Sequence, residues 1–352
     1  MAHGTNPGWF AMVMATGIVS VALLQAGFRG PSIALGWLAA SAFAVLTVLS
    51  ACRAAAFGRD VRGELTRPEQ VFSYFAVAAA ASVLASRLTQ AAPRDAVASA
   101  VAVLTVAAAL AWISVTGLVV CLLTGNPGPR PAIKGVNGTW QLWVVGTQSA
   151  AIAAVSAYAE GDVPARLAAV AALVAWSAGT VLYPAVTALV LPRLARAGLT
   201  PEDPFAPYWV TMGAASITVL AATQIIPVAS AAGLTGVRPV LTGAAVVFWS
   251  VATALIPVLT AIGLSRRLRR HESMRFRREL WMIVFPAGMY ATASMRLGAD
   301  AGLPPVRDIG LVAVWPAVAA WTLVFAGMVI APVSPPRAPR RYPWRSRRRG
   351  VR

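Results

Sequence analysis

The chain has 352 residues, of which 58% are hydrophobic and 12% charged, and its formal net charge is +18. A mean hydropathy of +0.69 excludes a soluble globular domain and places the chain among integral membrane proteins. With only two cysteines, Cys52 and Cys121, a disulfide framework is excluded as well.

Apolar runs long enough to cross a hydrocarbon core recur along nearly the whole chain. They are predicted at 8–26, 33–52, 71–86, 97–123, 139–158, 166–190, 208–228, 239–264, 280–297 and 309–332. The expected fold is all-α, with ten transmembrane helices paired as five hairpins in a domain spanning residues 1–332. Residues 333–352, rich in Arg and Pro, are predicted to form a disordered basic tail. The opening MAHGTNPG lacks the basic region of a secretory signal, so the first span is expected to be retained.

Orientation follows from the basic residues in the connections. If the N-terminus is inside, only Arg29, Arg87, Arg94, Arg166, Arg238, Arg296 and Arg307 of the 30 Lys and Arg lie outside. Both termini are then cytoplasmic, in a cell-membrane protein whose arginine-rich inner face explains the net charge without nucleic acid. The tail RRYPWRSRRRG suits anionic lipid.

Span 1 begins PGWFAMVMATGIVS and span 7 begins PYWVTMGAASITV, both reading P-x-W-x-x-M-x-x-A followed by a hydroxyl residue. Span 5 repeats the skeleton as Trp140, Trp143, Gly146 and Thr147, span 3 as Phe72, Phe75, Ala78 and Ala79, and span 9 as Trp281, Val284, Ala287 and Gly288. The starting aromatics recur roughly every 70 residues, the length of one two-helix unit, which marks an internal repeat. A shared interfacial aromatic belt is the alternative for spans 3, 5 and 9.

Five hairpins pointing the same way predict a ring, with odd spans in one shell and even spans in the other. Residues three, seven and eleven positions after each starting aromatic share a helix face, and the middle of that face is small or hydroxylated. The candidate pore-lining residues on this face are Thr16 and Ser20 in span 1, Thr147 in span 5, Ser216 in span 7, and Gly288 and Thr292 in span 9, with Gly17, Gly146 and Gly213 beside it. Such a face serves close helix packing and equally an uncharged pathway.

Span 9, LWMIVFPAGMYATASMRL, carries Phe285 and Pro286 at its centre. Four residues after Trp281 stands Phe285, where the same step in the other repeats reaches Val13, Ala76, Val144 and Gly213. Symmetry is therefore broken where one ring fills a narrow lumen, and the proline bend aims it. Phe285 and Pro286 are the candidate gate; plain packing beside a kink is the alternative.

No Asp, Glu, Lys, Arg or His is expected near the middle of any span, which argues against haem, metal sites and carboxylate-coupled transport. No cofactor, no metal and no enzymatic activity are expected. A charge-free conduit under an arginine-rich face favours anions. The competing class is a membrane-embedded enzyme or a lipid-interacting scaffold using the basic tail.

The segments WFAMVMATGIVS, NGTWQLWVVGTQSAA, YWVTMGAASITV and ELWMIVFPAGMYATASMRL resemble the tellurite-resistance/dicarboxylate transporter family, over roughly residues 7–332. That family includes malate permeases, sulfite exporters and slow-type anion channels. The resemblance implies a pseudo-fivefold array of five hairpins around a central pore, closure by a span 9 Phe that matches Phe285, and frequent trimers. It further implies small inorganic or carboxylate anions as substrates, such as malate and other C4-dicarboxylates, sulfite or halide. MATGIVS in span 1 is closer to the malate and sulfite branch than to the plant channels.

Overall fold

In the computed structural model, which describes residues 7–91, 93–125, 136–161, 163–197, 204–270 and 276–331, every defined element is helical. The helices are α1 (Phe10–Gln25), α2 (Arg29–Ala56), α3 (Gly58–Leu65), α4 (Pro68–Val71), α5 (Phe75–Ala91) and α6 (Arg94–Thr124). They continue with α7 (Gln141–Glu160), α8 (Ala165–Ala197), α9 (Val210–Ala231), α10 (Arg238–Arg270), α11 (Trp281–Asp300) and α12 (Pro304–Ile330). The predicted basic tail lies outside the described residues, and the short helices α3 and α4 were not anticipated.

Among the described residues nine helices are long and apolar enough to cross a membrane, and α11 is the long helix that does not meet this measure. Its second half is interrupted by Thr292, Ser294 and Arg296. The physical reason α11 tolerates this polarity is its surroundings, because it packs against α1, α9 and α12 and only two of its last four residues are exposed. Protein rather than lipid solvates it.

Sequence neighbours pair as hairpins: α1 with α2, α5 with α6, α7 with α8, α9 with α10, α11 with α12. The first members also pack on one another, α1 on α5, α5 on α7, α7 on α9, α9 on α11 and α11 back on α1, so they close a ring. Between 61% and 89% of the apolar stretch of α1, α5, α7 and α9 is buried, against 17% to 39% for α2, α6, α8, α10 and α12. The odd-numbered spans of the sequence thus form the inner layer and the even-numbered ones the lipid-facing layer.

The starting aromatics have a local cause. Each inner helix is entered through a 3-10 turn, at Pro7–Trp9, Phe72–Tyr74, Gly138–Trp140, Ala206–Trp209 and Arg278–Leu280, and these turns touch one another in the same cyclic order as the helices. At the third of them Asn137 accepts the backbone N–H of Thr139 at 2.8 Å, an N-terminal cap. Glycines with positive φ, such as Gly27 at 90° and Gly302 at 65°, reverse the chain between inner and outer helices.

The two layers are tied by a repeated hydrogen bond. An outer-layer indole donates to the inner helix of the following hairpin: Trp112 to Thr147 Oγ1 at 3.1 Å, Trp176 to the Thr218 carbonyl at 3.0 Å, Trp249 to Ser294 Oγ at 2.8 Å and Trp321 to Thr16 Oγ1 at 3.0 Å. The last of these joins the end of the chain to its beginning and so closes the circle. The remaining junction uses charge instead: Arg87 of α5 donates to Ser20 of α1 at 2.8 Å and to Ser32 of α2 at 3.0 Å. Trp112→Phe and Trp321→Phe should each lower thermal stability by about 1 kcal/mol, the net worth of one buried hydrogen bond. The effects should add because the junctions share no partner. Unchanged unfolding temperatures in detergent would show that these bonds do not hold the layers together.

Candidate functional site

Small residues bring the inner helices together, one contact per seam. A methyl group added at Gly17 would meet Val83 of α5 at 2.8 Å, at Gly146 the Phe75 ring of α5 at 2.5 Å, at Gly213 the Pro286 ring of α11 at 2.9 Å, and at Gly288 Ile18 of α1 at 2.9 Å. Gly138 plays the same part between the third and fourth hairpins, against the backbone of Pro207 and Tyr208. These glycines set how narrow the ring is. They also accommodate Pro286, whose bulk fits where Gly213 presents no side chain.

The hydroxyl residues of the repeated face divide into two groups. Thr16, Thr147 and Ser20 are bonded to outer-layer partners, the first two by Trp321 and Trp112 and the third through Ser32. In this conformation they occupy the seams between layers. Ser216 and Thr292 donate to carbonyls of their own helices, of Met212 at 3.0 Å and Gly288 at 2.9 Å.

Two contacts locate the ring axis. Gln224 of α9 donates to Ser86 of α5 at 3.4 Å, and Arg296 of α11 donates to Gln90 of α5 at 3.5 Å. Neither α9 nor α11 shares a packed seam with α5, so both contacts cross the interior of the ring. Gln25 of α1 joins them, donating to the same Gln90 oxygen at 3.3 Å. These residues gather at the C-terminal ends of the inner helices.

Counting back along each helix by turns identifies the side chains beneath them. On α11 the face below Arg296 carries Thr292, Met289 and Phe285. On α9 the face below Gln224 carries Leu220, Ile217 and Gly213, and on α5 that below Gln90 carries Ser86, Val83 and Ala79. Phe285 is 0% exposed, and its neighbour Pro286 packs on Gly213 of α9. One turn before Phe285, the buried Trp281 indole N–H has no hydrogen-bond partner among the described residues. The axial face of α11 therefore presents, in order, a neutral donor, a bulky apolar ring, a neutral stretch and a cation.

Sequence reasoning singled out Phe285, Pro286, Gly213 and Thr292, which lie on or beside this face. It did not single out Gln25, Ser86, Gln90, Gln224 or Arg296. Their signal was a polar residue recurring about one helix length after each starting aromatic. The third predicted span ended at residue 86, whereas α5 runs to Ala91 and carries Arg87 and Gln90 inside the helix.

Ring and outer layer together describe an all-helical membrane protein. A model of the voltage-dependent anion channel family matches residues 4–329, nearly the whole chain, and the protein belongs to that family. An uncharacterized membrane protein found in two strains of Mycobacterium tuberculosis is 42% identical over 148 residues, covering 42% of this chain and 75% of the relative. The match agrees with the family resemblance carried by the span 1, 5, 7 and 9 motifs, and supports anion transport across a membrane.

Proposed function

We propose that small anions cross the membrane along the axis of the inner ring and that Phe285 closes this path. The observation that carries the reading is the pair of contacts spanning the ring, Gln224 to Ser86 and Arg296 to Gln90, which supports an axial position for the α11 face that includes the fully buried Phe285. An apolar ring at a level of the passage without fixed charge stops ions by bulk and by dewetting. Pro286 cannot donate to the carbonyl of Met282, which loosens the helix beside the ring and lets it swing.

The surplus of arginine in the connections on one side supports an orientation with the N-terminal ends of the inner helices in the cytoplasm. The field of those arginines raises the local anion concentration at that entrance. C4-dicarboxylates, sulfite, related oxyanions and halides form the candidate substrate class. The test is anion flux in liposomes containing only this chain, with wild type compared with Phe285→Ala. Flux through the variant without added soluble cofactor supports the reading; a sealed variant refutes it.

A further inference from the structure

We propose that a slot between the second and third hairpins holds one acyl chain of a membrane phospholipid, whose hydrocarbon fills the place that an aromatic ring fills in other hairpins. This inference is independent of the axial path, because the slot opens on the lipid-facing layer.

The slot is a cavity of about 250 Å³ between α6, α7 and α8. Leu123 of α6, Trp140 and Trp143 at the start of α7, and Leu182, Val186 and Leu189 of α8 wall it, and no polar atom shows on its surface. Trp140 and Val186 are buried, whereas Leu123 and Leu189, 41% and 45% exposed, stand at its rim on the outer helices. Water is a poor occupant, since a buried water needs several polar partners, and an apolar cavity of about 150 Å³ already stays dry and takes up benzene. Left empty, the walls would forfeit their dispersion contacts. The hydrocarbon that surrounds α6 and α8 matches the slot in chemistry and reaches its rim directly.

The other hairpins show why the slot is open here. Val136, a further wall residue, stands four positions before the starting aromatic Trp140, the place that Phe205 holds before Trp209. Phe205 lies against the outer helix of its own hairpin: a methyl group added at Gly263 of α10 would meet its ring at 3.1 Å, and the Arg266 guanidinium sits 5.9 Å from the ring centre. In the fifth hairpin Phe276, five positions before Trp281, takes the same part beside Gly327 of α12 and stacks on Trp9 at 6.3 Å. In the second hairpin the short helix α4 packs on α6 instead. A valine side chain does not reach as far as a phenyl ring, so the third hairpin leaves the space between its entry turn and its outer helix open.

An acyl chain placed there bears on the seam between α5 and α7. The two indoles of the slot meet Phe72, at the entry to α5, with ring centres 4.5 Å from Trp140 and 6.1 Å from Trp143. Gly146, one turn beyond Trp143, receives the Phe75 ring of α5 in the same seam. The lipid chain therefore backs an aromatic stack that joins two inner helices, and it stabilises the ring from outside.

Photolabelling tests this directly. The full chain is reconstituted in liposomes of phosphatidylethanolamine and phosphatidylglycerol that contain a phosphatidylcholine with a diazirine in its acyl chain, and adducts are mapped by mass spectrometry after irradiation. Trp143 and Val186 should be labelled well above Val210, a fully buried residue of α9, and the exposed Val247 of α10 should be labelled in every sample. Val136→Phe, which copies the fourth hairpin, and Ala185→Phe, which enters the slot from an exposed position on its wall, should each cut the Trp143 and Val186 adducts roughly tenfold and leave Val247 unchanged. Loss of these adducts in either variant supports the site. Labelling of Trp143 and Val186 no higher than that of Val210, or undiminished in both variants, would overturn it. A slot unlabelled in the wild type, with Ala185→Phe dissociating an oligomer in detergent, would assign it to a second copy of the chain instead.

Discussion

Phe285→Ala should raise anion flux on the order of tenfold or more, equivalent to lowering the barrier by about 1.4 kcal/mol or more. The ring is fully buried on the α11 face below Arg296, and the neighbouring α9 packs Gly213 against Pro286 beside it. Removing it opens the level between Trp281 and Met289 on that face. Leu and Val should give intermediate flux, because the obstruction scales with side-chain size, and the enlarged path should remain anion-selective, because Arg296 and the donors at the mouth are untouched. A Phe that served only as packing would behave differently: truncation would cost roughly 3–5 kcal/mol of stability and leave flux unchanged. Measuring flux and unfolding temperature on the same preparations separates the two outcomes.

Gly310→Val should be among the most damaging single substitutions in the outer layer. A side chain at Gly310 of α12 would meet the Met295 backbone nitrogen of α11 at 2.6 Å and the Ala291 carbonyl oxygen at 2.9 Å. Backbone cannot yield as a flexible side chain does, so the hairpin must open. Gly298 makes the reciprocal approach from α11 to the backbone of Arg307, so the helix carrying Phe285 and Arg296 is clasped at two points. Overpacking of this kind costs about 1–3 kcal/mol and occasionally more. Gly117 and Gly243, also in outer helices, would meet nothing within 4 Å on gaining a methyl, so Gly117→Val and Gly243→Val serve as controls. Equal yields and unfolding temperatures for all three variants would show that the clasp does not hold α11.

Much of the architecture is legible from periodicity. The recurring aromatic and small-residue skeleton predicts the inner layer because its physical causes recur: a 3-10 entry turn at each inner helix and a glycine contact in each seam. The same skeleton cannot tell packing from pathway, because both favour small residues. Gly17, Gly146 and Gly288 pack against neighbouring inner helices, and the partners of Thr16 and Thr147 are indoles in other hairpins, Trp321 and Trp112. Such pairings depend on which hairpin follows which around the ring, which hydropathy does not encode. Helix ends were hidden for another reason. Hydrogen bonding continues beyond the apolar run, so α5 extends to Ala91 and α10 to Arg270. The polar mouth lies in that concealed extension of α5. Phe285 stands out in the sequence because it breaks a repeat.

The central claim is that the inner ring encloses the anion path, and thiol accessibility tests it most directly. The exposed Cys52 and Cys121 would first be replaced by Ser, and single cysteines introduced at Met289 and Ile217, on the axial faces, at Thr16, in the seam with α12, and at Val247, on the lipid-facing side of α10. In a Phe285→Ala background a water-soluble, charged thiol reagent should block anion flux through the Met289→Cys and Ile217→Cys proteins and leave the Thr16→Cys and Val247→Cys proteins conducting. Block at Thr16 or Val247 with none at Met289 and Ile217 would contradict the axial path and move it to the seams between the layers.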